Sequence, residues 1–449
     1  GPQPRGPAPA VAGRGRLAGA PRGGAARRRV QAGCLSNSTP ENIARPPSWK
    51  ETIRGAIFWA KTDNWDQVPR SRYWTLVFVI MKIVGTIGGY RGRAHFARRS
   101  GLQGLLERRK GAADVVDETA AASAAAFPEA AARLAGGSGV ALAVVLPTLA
   151  RSAADVEEVR ATLRALFRQT RRPDVVLLVD DGSSADLSPA LGAWEDAESL
   201  ALVRMRRNTG PAGARSVGLR LLRQWAGDRR AVVCLTDSDA MPDDRWCEAM
   251  LKAQMLFPGI FSGPTLSCDR SHTGRFHDHF GNLNGRWRWD DLPGVLLYGC
   301  TVNFSVDLQA VGDMEFDPVF SRPGFEDIEF CWRARTERRV LTRYCESARV
   351  YHQYDQGLVG LYRQFWKYGN TEPIMAFMHE GFSFQGSRPV VAGFQDPRME
   401  ALRSSVPAGA EEAAAQAIAK LQLLFEASAE ALPTLPAARG GTEPGAAGP

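Results

Sequence analysis

Four short apolar runs and two stretches of helical periodicity alternate between residues 140 and 235. The runs, at residues 140–146, 175–179, 200–205 and 231–235, are rich in Val, Leu and Ala, as expected of strands buried on both faces of a parallel sheet. Apolar residues recur every three or four positions over residues 155–169 and 211–225, which predicts helices. This order predicts right-handed crossovers and an α/β domain with a Rossmann-like, mostly parallel central sheet and helices on both faces.

The alternation ends after residue 242. Residues 265–295 are rich in Gly, Asp, Arg, His and Trp, which predicts ordered loops with short helices. The pattern then predicts a long strand at residues 295–306, a helix at 325–335, a short strand at 348–351 and a helix at 357–369.

Neither end of the chain carries such a pattern. Residues 1–46 are mainly Gly, Ala, Pro and Arg, so we expect a disordered tail, and its Arg-rich, acid-poor composition also resembles an organelle transit region. The Ala-rich run at 111–138, which ends in small residues, predicts a linker. We therefore expect a large domain at residues 139–372. A C-terminal extension at 373–449 should contain one helix, at about 410–432, and a disordered tail.

One apolar segment could contact a membrane. Residues 73–90 lie within the region 47–110, and their length is at the lower limit for a spanning helix. Thr75, Lys82 and Thr86 share one helical face, and basic residues flank both ends. The pattern leaves three placements open: across a membrane, along its surface, or docked on the protein.

The charge distribution argues against a nucleic-acid partner. The formal net charge is +8, but residues 1–46 contain eight Arg and one Glu, which account for 8 − 1 = +7 of it. The rest of the chain is nearly neutral, so a basic groove is not expected. Seven cysteines without a Cys-x-x-Cys pair indicate neither a zinc knuckle nor a disulfide framework.

Acidic residues collect where predicted strands end or a helix begins. The pairs are Asp180 with Asp181, Asp237 with Asp239, and Glu326 with Asp327. Ligands of open α/β sheets bind beyond the carboxyl ends of the strands. Two neighbouring carboxylates are usually neutralised there by a divalent cation, and their oxygens suit Mn²⁺ or Mg²⁺ bound to substrate phosphates. The sequence therefore predicts a metal–phosphate site around Asp237 and Asp239.

A glycine-containing turn precedes the second predicted helix. It runs from Asn208 through Gly210 and Pro211 to Arg215. A helix N-terminus of this kind favours phosphate, although an ordinary capped helix explains the same residues.

Together these motifs resemble family 2 glycosyltransferases with the GT-A fold, over about residues 140–370. The resemblance rests on residues 144–148, the Asp180–Ser183 loop, residues 208–218, the Asp-Ser-Asp motif at 237–239, the Glu-Asp motif at 326–327, and residues 352–369. Leu149, Ala150 and Ser216 depart from the family pattern, but none of them is a metal ligand or a candidate base.

The resemblance implies a metal-dependent transferase that moves a sugar from a nucleotide-sugar donor, most often UDP-linked, to a hydroxyl of a glycan or other acceptor, with inversion. Asp327 is implied as the base and Glu326 as a contact to hydroxyls. Asp237 and Asp239 would hold Mn²⁺ or Mg²⁺, and His352 would be a third ligand or a phosphate contact. The implied nucleotide-sugar contacts are Pro147, Thr148, Asp180, Asp181, Gly182, Ser183, Asn208, Gly210, Arg215 and Asp237. Trp287, Trp289 and Tyr298 would bind the acceptor, or form a buried aromatic cluster.

Two other functions compete with this one. A nucleotidyltransferase would carry a basic, Gly-rich loop after the first strand, where the chain has Pro147 and Thr148. A degenerate transferase could serve as a membrane-tethered scaffold or carbohydrate-binding subunit, but its acidic motifs are intact. Membrane association in the Golgi or ER is the expected location, with organelle targeting as the alternative.

Overall fold

The structure is a computed structural model that describes residues 72–96, 99–191, 199–268, 271, 273–274, 277–278, 288–289, 292–354 and 357–379. The predictions for residues 1–46, for the helix at 410–432 and for Trp287 lie outside these residues.

A nine-stranded sheet forms the centre of the domain, with the strand order β3-β2-β1-β4-β10-β6-β11-β9-β8. Its first four strands are parallel, and each strand from β10 to β8 is antiparallel to its predecessor except at the parallel β6–β11 pair. A second sheet has the order β5-β12-β7. The strands are β1 Ala141–Thr148, β2 Val175–Asp180, β3 Leu200–Arg204, β4 Ala231–Leu235, β5 Ala240–Pro242, β6 Ile260–Ser262, β7 Thr265–Ser267, β8 Arg288–Trp289, β9 Leu292–Leu296, β10 Phe304–Asp307, β11 Thr342–Tyr344 and β12 Val350–His352.

Helices cover both faces of the central sheet. In chain order they are α1 Arg72–Phe96, α2 Arg99–Ser123, α3 Pro128–Ala135, α4 Ala153–Phe167, α5 Ser188–Leu191, α6 Pro211–Ala226, α7 Trp246–Leu256, α8 Leu308–Val311, α9 Glu326–Glu337 and α10 Gly357–Met378. The α/β fold class predicted from the sequence is confirmed, as are the first four strands and the helices at α4 and α6.

The alternation of side chains along β1 divides the core into two layers. Ala143 and Val145 pack with residues of α2 and α6 on one face, while Leu142 and Val144 pack with residues of α4 and α7 on the other. Side chains in a strand point alternately to opposite faces, so a strand between two helical layers is apolar at every position. This explains why the strands appear in the sequence as unbroken apolar runs.

The predicted linker at residues 111–138 is instead helical. It contains most of α2 and all of α3, and Val115, Val116 and Leu134 are almost completely buried in the layer that includes α6. Ion pairs fix α2 to the domain, including the pair between Arg109 and Asp317 at 2.7 Å. Alanine has the highest helix propensity, and its small side chain lets helices pack closely, so an Ala-rich run is compatible with a packed helix as well as with a linker.

Helix α1 packs against α10. A Cβ atom on Gly369 would lie 2.0 Å from the carbonyl oxygen of Gly85, so the two backbones touch at this point. This contact agrees with the docked placement of residues 73–90, and α10 runs through the predicted boundary at 372. No helix among the described residues is long and apolar enough to cross a membrane. Association with a membrane surface stays a prediction.

The predicted long strand at 295–306 is two strands joined by a buried turn. β9 pairs with β11, whereas β10 pairs with β4 and β6. The fully buried Asn303 holds the turn: its side chain donates to the carbonyls of Pro264 and Ala348 and accepts from the indole N–H of Trp246. Hydrophobicity alone cannot reveal this break because the turn is as buried as the strands.

Candidate active site

The acidic residues predicted from the sequence lie beyond the ends of neighbouring strands. Asp180 ends β2 beside Thr148, the last residue of β1, and Asp237 follows β4, which pairs with β1 on its other side. The carboxylates of Asp327, Glu326 and Asp237 all act, together with burial, to raise the pKa of the Cys300 thiol. The two acidic motifs are thus brought to one region of the fold around Cys300.

The loop at Asp180–Ser183 is held by hydrogen bonds from its own side chains. Asp180 Oδ1 accepts from the Ser183 N–H at 2.7 Å, and Ser183 Oγ accepts from the Ala150 N–H at 2.8 Å. Gly182 adopts a φ of +79°, and a Cβ there would lie 2.9 Å from the Asn208 nitrogen. The loop therefore requires glycine at this position, and its side chains shape the site from below.

Asp181 fixes the turn that precedes α6. Its carboxylate accepts hydrogen bonds from the N–H groups of Thr209, at 2.7 Å, and Gly210, at 2.8 Å. Burial raises the pKa of Asp181 to about 6, although these bonds act in the opposite direction. The Gly210 N–H, predicted to contact the donor, is thus bonded to a protein carboxylate, while Asn208 is exposed.

Arg215 links two acidic motifs instead of making the predicted phosphate contact. Its side chain is 3% exposed, and its two terminal nitrogens donate to Glu326 at 2.9 Å and Asp237 at 2.8 Å. Burial would lower the pKa of this guanidinium, but the two carboxylates more than offset burial and raise it. The sequence predicted a surface-facing arginine because a helix N-terminus attracts anions; here the anions are protein side chains.

Glu326 and Asp327 differ sharply in their surroundings. Both carboxylate oxygens of Glu326 accept hydrogen bonds, one from Arg215 and one from the Gly324 N–H at 2.6 Å. Asp327 is half-buried, and its Oδ1 accepts from the Ile328 N–H at the start of α9. Burial, and next the charge of Glu326, raise the pKa of Asp327 to about 7, while Arg215 opposes the shift. At neutral pH this carboxyl group can therefore take up or release a proton.

Asp239 and His352 meet because β12 pairs with β5. The register places His352 opposite Ala240, and His352 Nε2 lies 3.3 Å from Asp239 Oδ1. His352 Nδ1 lies 2.8 Å from the Gln353 carbonyl oxygen; a carbonyl can only accept, so Nδ1 carries a hydrogen. Burial would lower the pKa of His352, but Asp239 raises it. Among the described residues no three His, Cys, Asp or Glu side chains gather closely enough to hold a metal ion.

An aromatic group lies beside this pair. The Tyr354 ring is 4.8 Å from the His352 ring and 4.0 Å from the His277 ring, which is stacked on it. Burial, together with repulsion from His352, lowers the pKa of His277 to about 3, so His277 is neutral. Sequence reasoning missed Tyr354, and the signal that could have found it is an aromatic residue two positions after a candidate ligand at a strand end.

The predicted acceptor residues are only partly described. Trp289 lies in β8, and the structure describes nothing of its side chain. Tyr298 is half-buried and packs between the two core layers. Burial raises the pKa of Tyr298 well above its usual value, with Cys300 and Asp327 among the further causes. Tyr298 therefore lies near the Glu-Asp motif.

Residues 143–290 match the sequence model of the family described as Glycosyl transferase family 2. The match includes the loop at Asp180–Ser183 and both Asp237 and Asp239, and it confirms the resemblance predicted from the motifs. This part of the chain is a glycosyltransferase domain of the GT-A fold class. Within that class it belongs to family 2.

Three solved structures were compared in detail. TarS of S. aureus is 14% identical, covering 50% of this chain and 39% of TarS, with a TM-score of 0.36. TarS 1–349 in complex with UDP is 13% identical, covering 61% of this chain and 77% of that chain, at 0.38. The mannosyltransferase PcManGT from Pyrobaculum calidifontis, in complex with GDP-Man and Mn²⁺, is 17% identical, covering 73% and 95%, at 0.35.

This chain thus spans 39% of the length of full TarS. Identities and TM-scores this low bear on neither activity nor substrate. A search of curated proteins found no match.

Proposed function

We propose that the protein transfers a sugar from a nucleotide-sugar donor, probably UDP-linked in chemistry, to an acceptor hydroxyl by single displacement with inversion. The observation that carries this proposal is the separation of two carboxylate groups. Asp239 pairs with His352 on one side, whereas Asp327, with a pKa of about 7, lies on the other beside Glu326. Arg215 connects the two sides through Asp237 and Glu326.

The first side suits a divalent cation. Asp239 offers a carboxylate oxygen, and the side chain of Asp239 is 46% exposed. His352 Nε2 offers a lone pair once that nitrogen has lost its proton, since Nδ1 already bonds the Gln353 carbonyl as metal-bound histidines commonly do. An oxygen–imidazole donor set fits Mn²⁺ better than Mg²⁺. Such an ion would neutralise charge on the leaving diphosphate, whose oxygens would complete its ligands.

The second side suits a general base. In an inverting transfer one carboxylate takes the proton of the acceptor hydroxyl while that oxygen attacks the anomeric carbon from the face opposite the leaving group. Asp327 has the pKa for this step, because a base works best when its pKa is near the working pH. Glu326 is held by Arg215 and Gly324 and orients the start of α9.

Replacing Asp239 by Asn should remove the Mn²⁺ dependence of nucleotide-sugar binding, because an amide is a weaker ligand for the ion and a weaker partner for His352. The measurement is calorimetric titration with UDP-sugars in the presence and absence of Mn²⁺. Asp243→Asn is the matched control, since Asp243 lies on the same segment and caps the turn before α7. Equal Mn²⁺ dependence in Asp239→Asn and wild type would contradict the metal assignment. The lack of any Mn²⁺-dependent release of UDP by the wild-type protein would favour the non-catalytic alternative.

The activity should depend on pH through Asp327. Only the deprotonated carboxylate can accept a proton, so kcat/KM should rise with pH, with a midpoint at about 7, and level off above it. At lower pH it should fall about tenfold per unit. Initial rates at low substrate, with donor affinity measured at each pH as the control, check this. A profile that stays flat through neutral pH while donor affinity is constant would exclude Asp327 as the base.

A further inference from the structure

Tyr354 has a buried hydroxyl group that the fold does not use. The residue is 4% exposed, and its hydroxyl has no hydrogen-bond partner within the described part of the chain. Buried polar groups are almost always paired, because an unpaired one loses its hydrogen bonds to water without replacement. An unpaired hydroxyl in an enzyme domain therefore indicates a partner that arrives with a ligand.

The position of this hydroxyl is fixed by its ring. The ring contacts the imidazoles of His277, at 4.0 Å between centroids, and His352, at 4.8 Å. His277 is itself 9% exposed. Because the ring is held by buried neighbours, the hydroxyl cannot turn towards bulk water without disrupting both contacts. The ring is therefore preorganised, and only its hydroxyl hydrogen is free to rotate.

The surroundings of the hydroxyl place it between the two sides of the proposed site. Burial raises the pKa of Tyr354 well above its usual value, and the further causes are Cys300, Tyr368, Asp278 and Asp239. Asp239 belongs to the proposed leaving-group side. Tyr368 belongs to the other side: burial, and then the charge of Asp327, raise its pKa, and its hydroxyl accepts a hydrogen bond from Gln364 at 2.7 Å.

We propose that the Tyr354 hydroxyl hydrogen-bonds the sugar that is transferred, and that it helps to select which sugar the enzyme accepts. This inference rests on the proposed function. In a single displacement the transferred sugar lies between the leaving diphosphate and the base, and Tyr354 lies between the groups assigned to those roles. A sugar hydroxyl can donate to and accept from a phenol, so it satisfies the unpaired group. Rejection of a sugar that lacks a hydroxyl there follows from the same cost of an unpaired polar atom.

The variant Tyr354→Phe tests the proposal with little risk to folding. It keeps the ring and both imidazole contacts and removes only an atom without a protein partner, so the melting temperature should be unchanged or higher. Tyr351→Phe is the matched control. Tyr351 is half-buried next to His352 in β12, and neighbouring side chains in a strand point to opposite faces.

The experiment compares affinities for UDP and for UDP-glucose, UDP-galactose and UDP-N-acetylglucosamine, each with Mn²⁺ and without acceptor. In Tyr354→Phe the affinity for the preferred UDP-sugar should fall about tenfold, while the affinity for UDP stays constant. The preference among the three sugars should narrow, and Tyr351→Phe should behave as wild type.

Each other outcome overturns the assignment. An unchanged ratio of UDP-sugar to UDP affinity in Tyr354→Phe shows that the hydroxyl does not contact the transferred sugar. An unchanged ratio with a raised KM for the acceptor moves the contact to the acceptor. A lowered melting temperature shows that the hydroxyl has a structural partner. If the wild-type protein binds none of these donors, the proposed function fails together with this inference.

Discussion

Asp327→Asn should lower turnover by about two to four orders of magnitude while donor affinity stays nearly constant. The amide has a similar shape but cannot accept the acceptor's proton. The structure strengthens this expectation, because burial raises the pKa of Asp327 to about 7, whereas Glu326 is committed to Arg215 and the Gly324 N–H. Single-turnover rates with saturating donor, set beside calorimetric donor affinity, measure the effect.

Asp313→Asn is the matched control for this prediction. The Asp313 side chain is 83% exposed and pairs with Arg338 on the surface, so its loss of charge should leave turnover unchanged. Glu326→Gln should weaken both stability and turnover, since it removes a charge partner of Arg215. Near-normal turnover in Asp327→Asn would contradict its role as the base, and a much larger loss in Glu326→Gln would transfer that role to Glu326.

Arg215→Met should destabilise the domain by about 3–5 kcal/mol, because it leaves the buried carboxylate of Glu326 without its charged partner. Arg215 and Glu326 are 3% and 5% exposed in their side chains, so water cannot replace the lost interaction. Urea unfolding followed by circular dichroism measures the change in the free energy of unfolding. The double variant with Glu326→Gln should recover part of the loss, as a double-mutant cycle would detect.

The control is Arg206→Met, which removes an arginine paired with Glu118 at 2.9 Å on the surface. Exposed pairs contribute about 0–1 kcal/mol, so this variant should be nearly as stable as wild type. Equal stability of the two arginine variants would mean that the buried bridge does not support the fold. Since Arg215 also lowers the pKa of Asp327, any activity that remains in Arg215→Met should require a higher pH.

The parallel half of the sheet could be read from the sequence because its strands are buried on both faces. An apolar side chain is needed at every position of β1, β2 and β4, and such runs are easily distinguished from the helical periodicity of α4 and α6. The order of the acidic motifs was likewise predictable, since each follows a strand or begins a helix. Those local patterns were sufficient for the fold class and for the family.

The partners of each acidic side chain could not be predicted in this way. Arg215 contacts Asp237 and Glu326 across 22 and 111 residues of sequence, and a local motif carries no information about such distances. The Ala-rich run at 111–138 shows the same limit, since composition suits both a linker and the packed helices α2 and α3.

The sequence by itself determined which residues carry the chemistry, because residue type and position at a strand end are local properties. Only the tertiary structure decided what each residue does there. Pairing of β5 with β12 brings His352 to Asp239, packing buries Asp327 and raises its pKa, and two histidines distant in sequence hold Tyr354 with its hydroxyl unpaired. Burial, register and charge pairing arise from contacts between distant segments, and these exist only once the chain has folded.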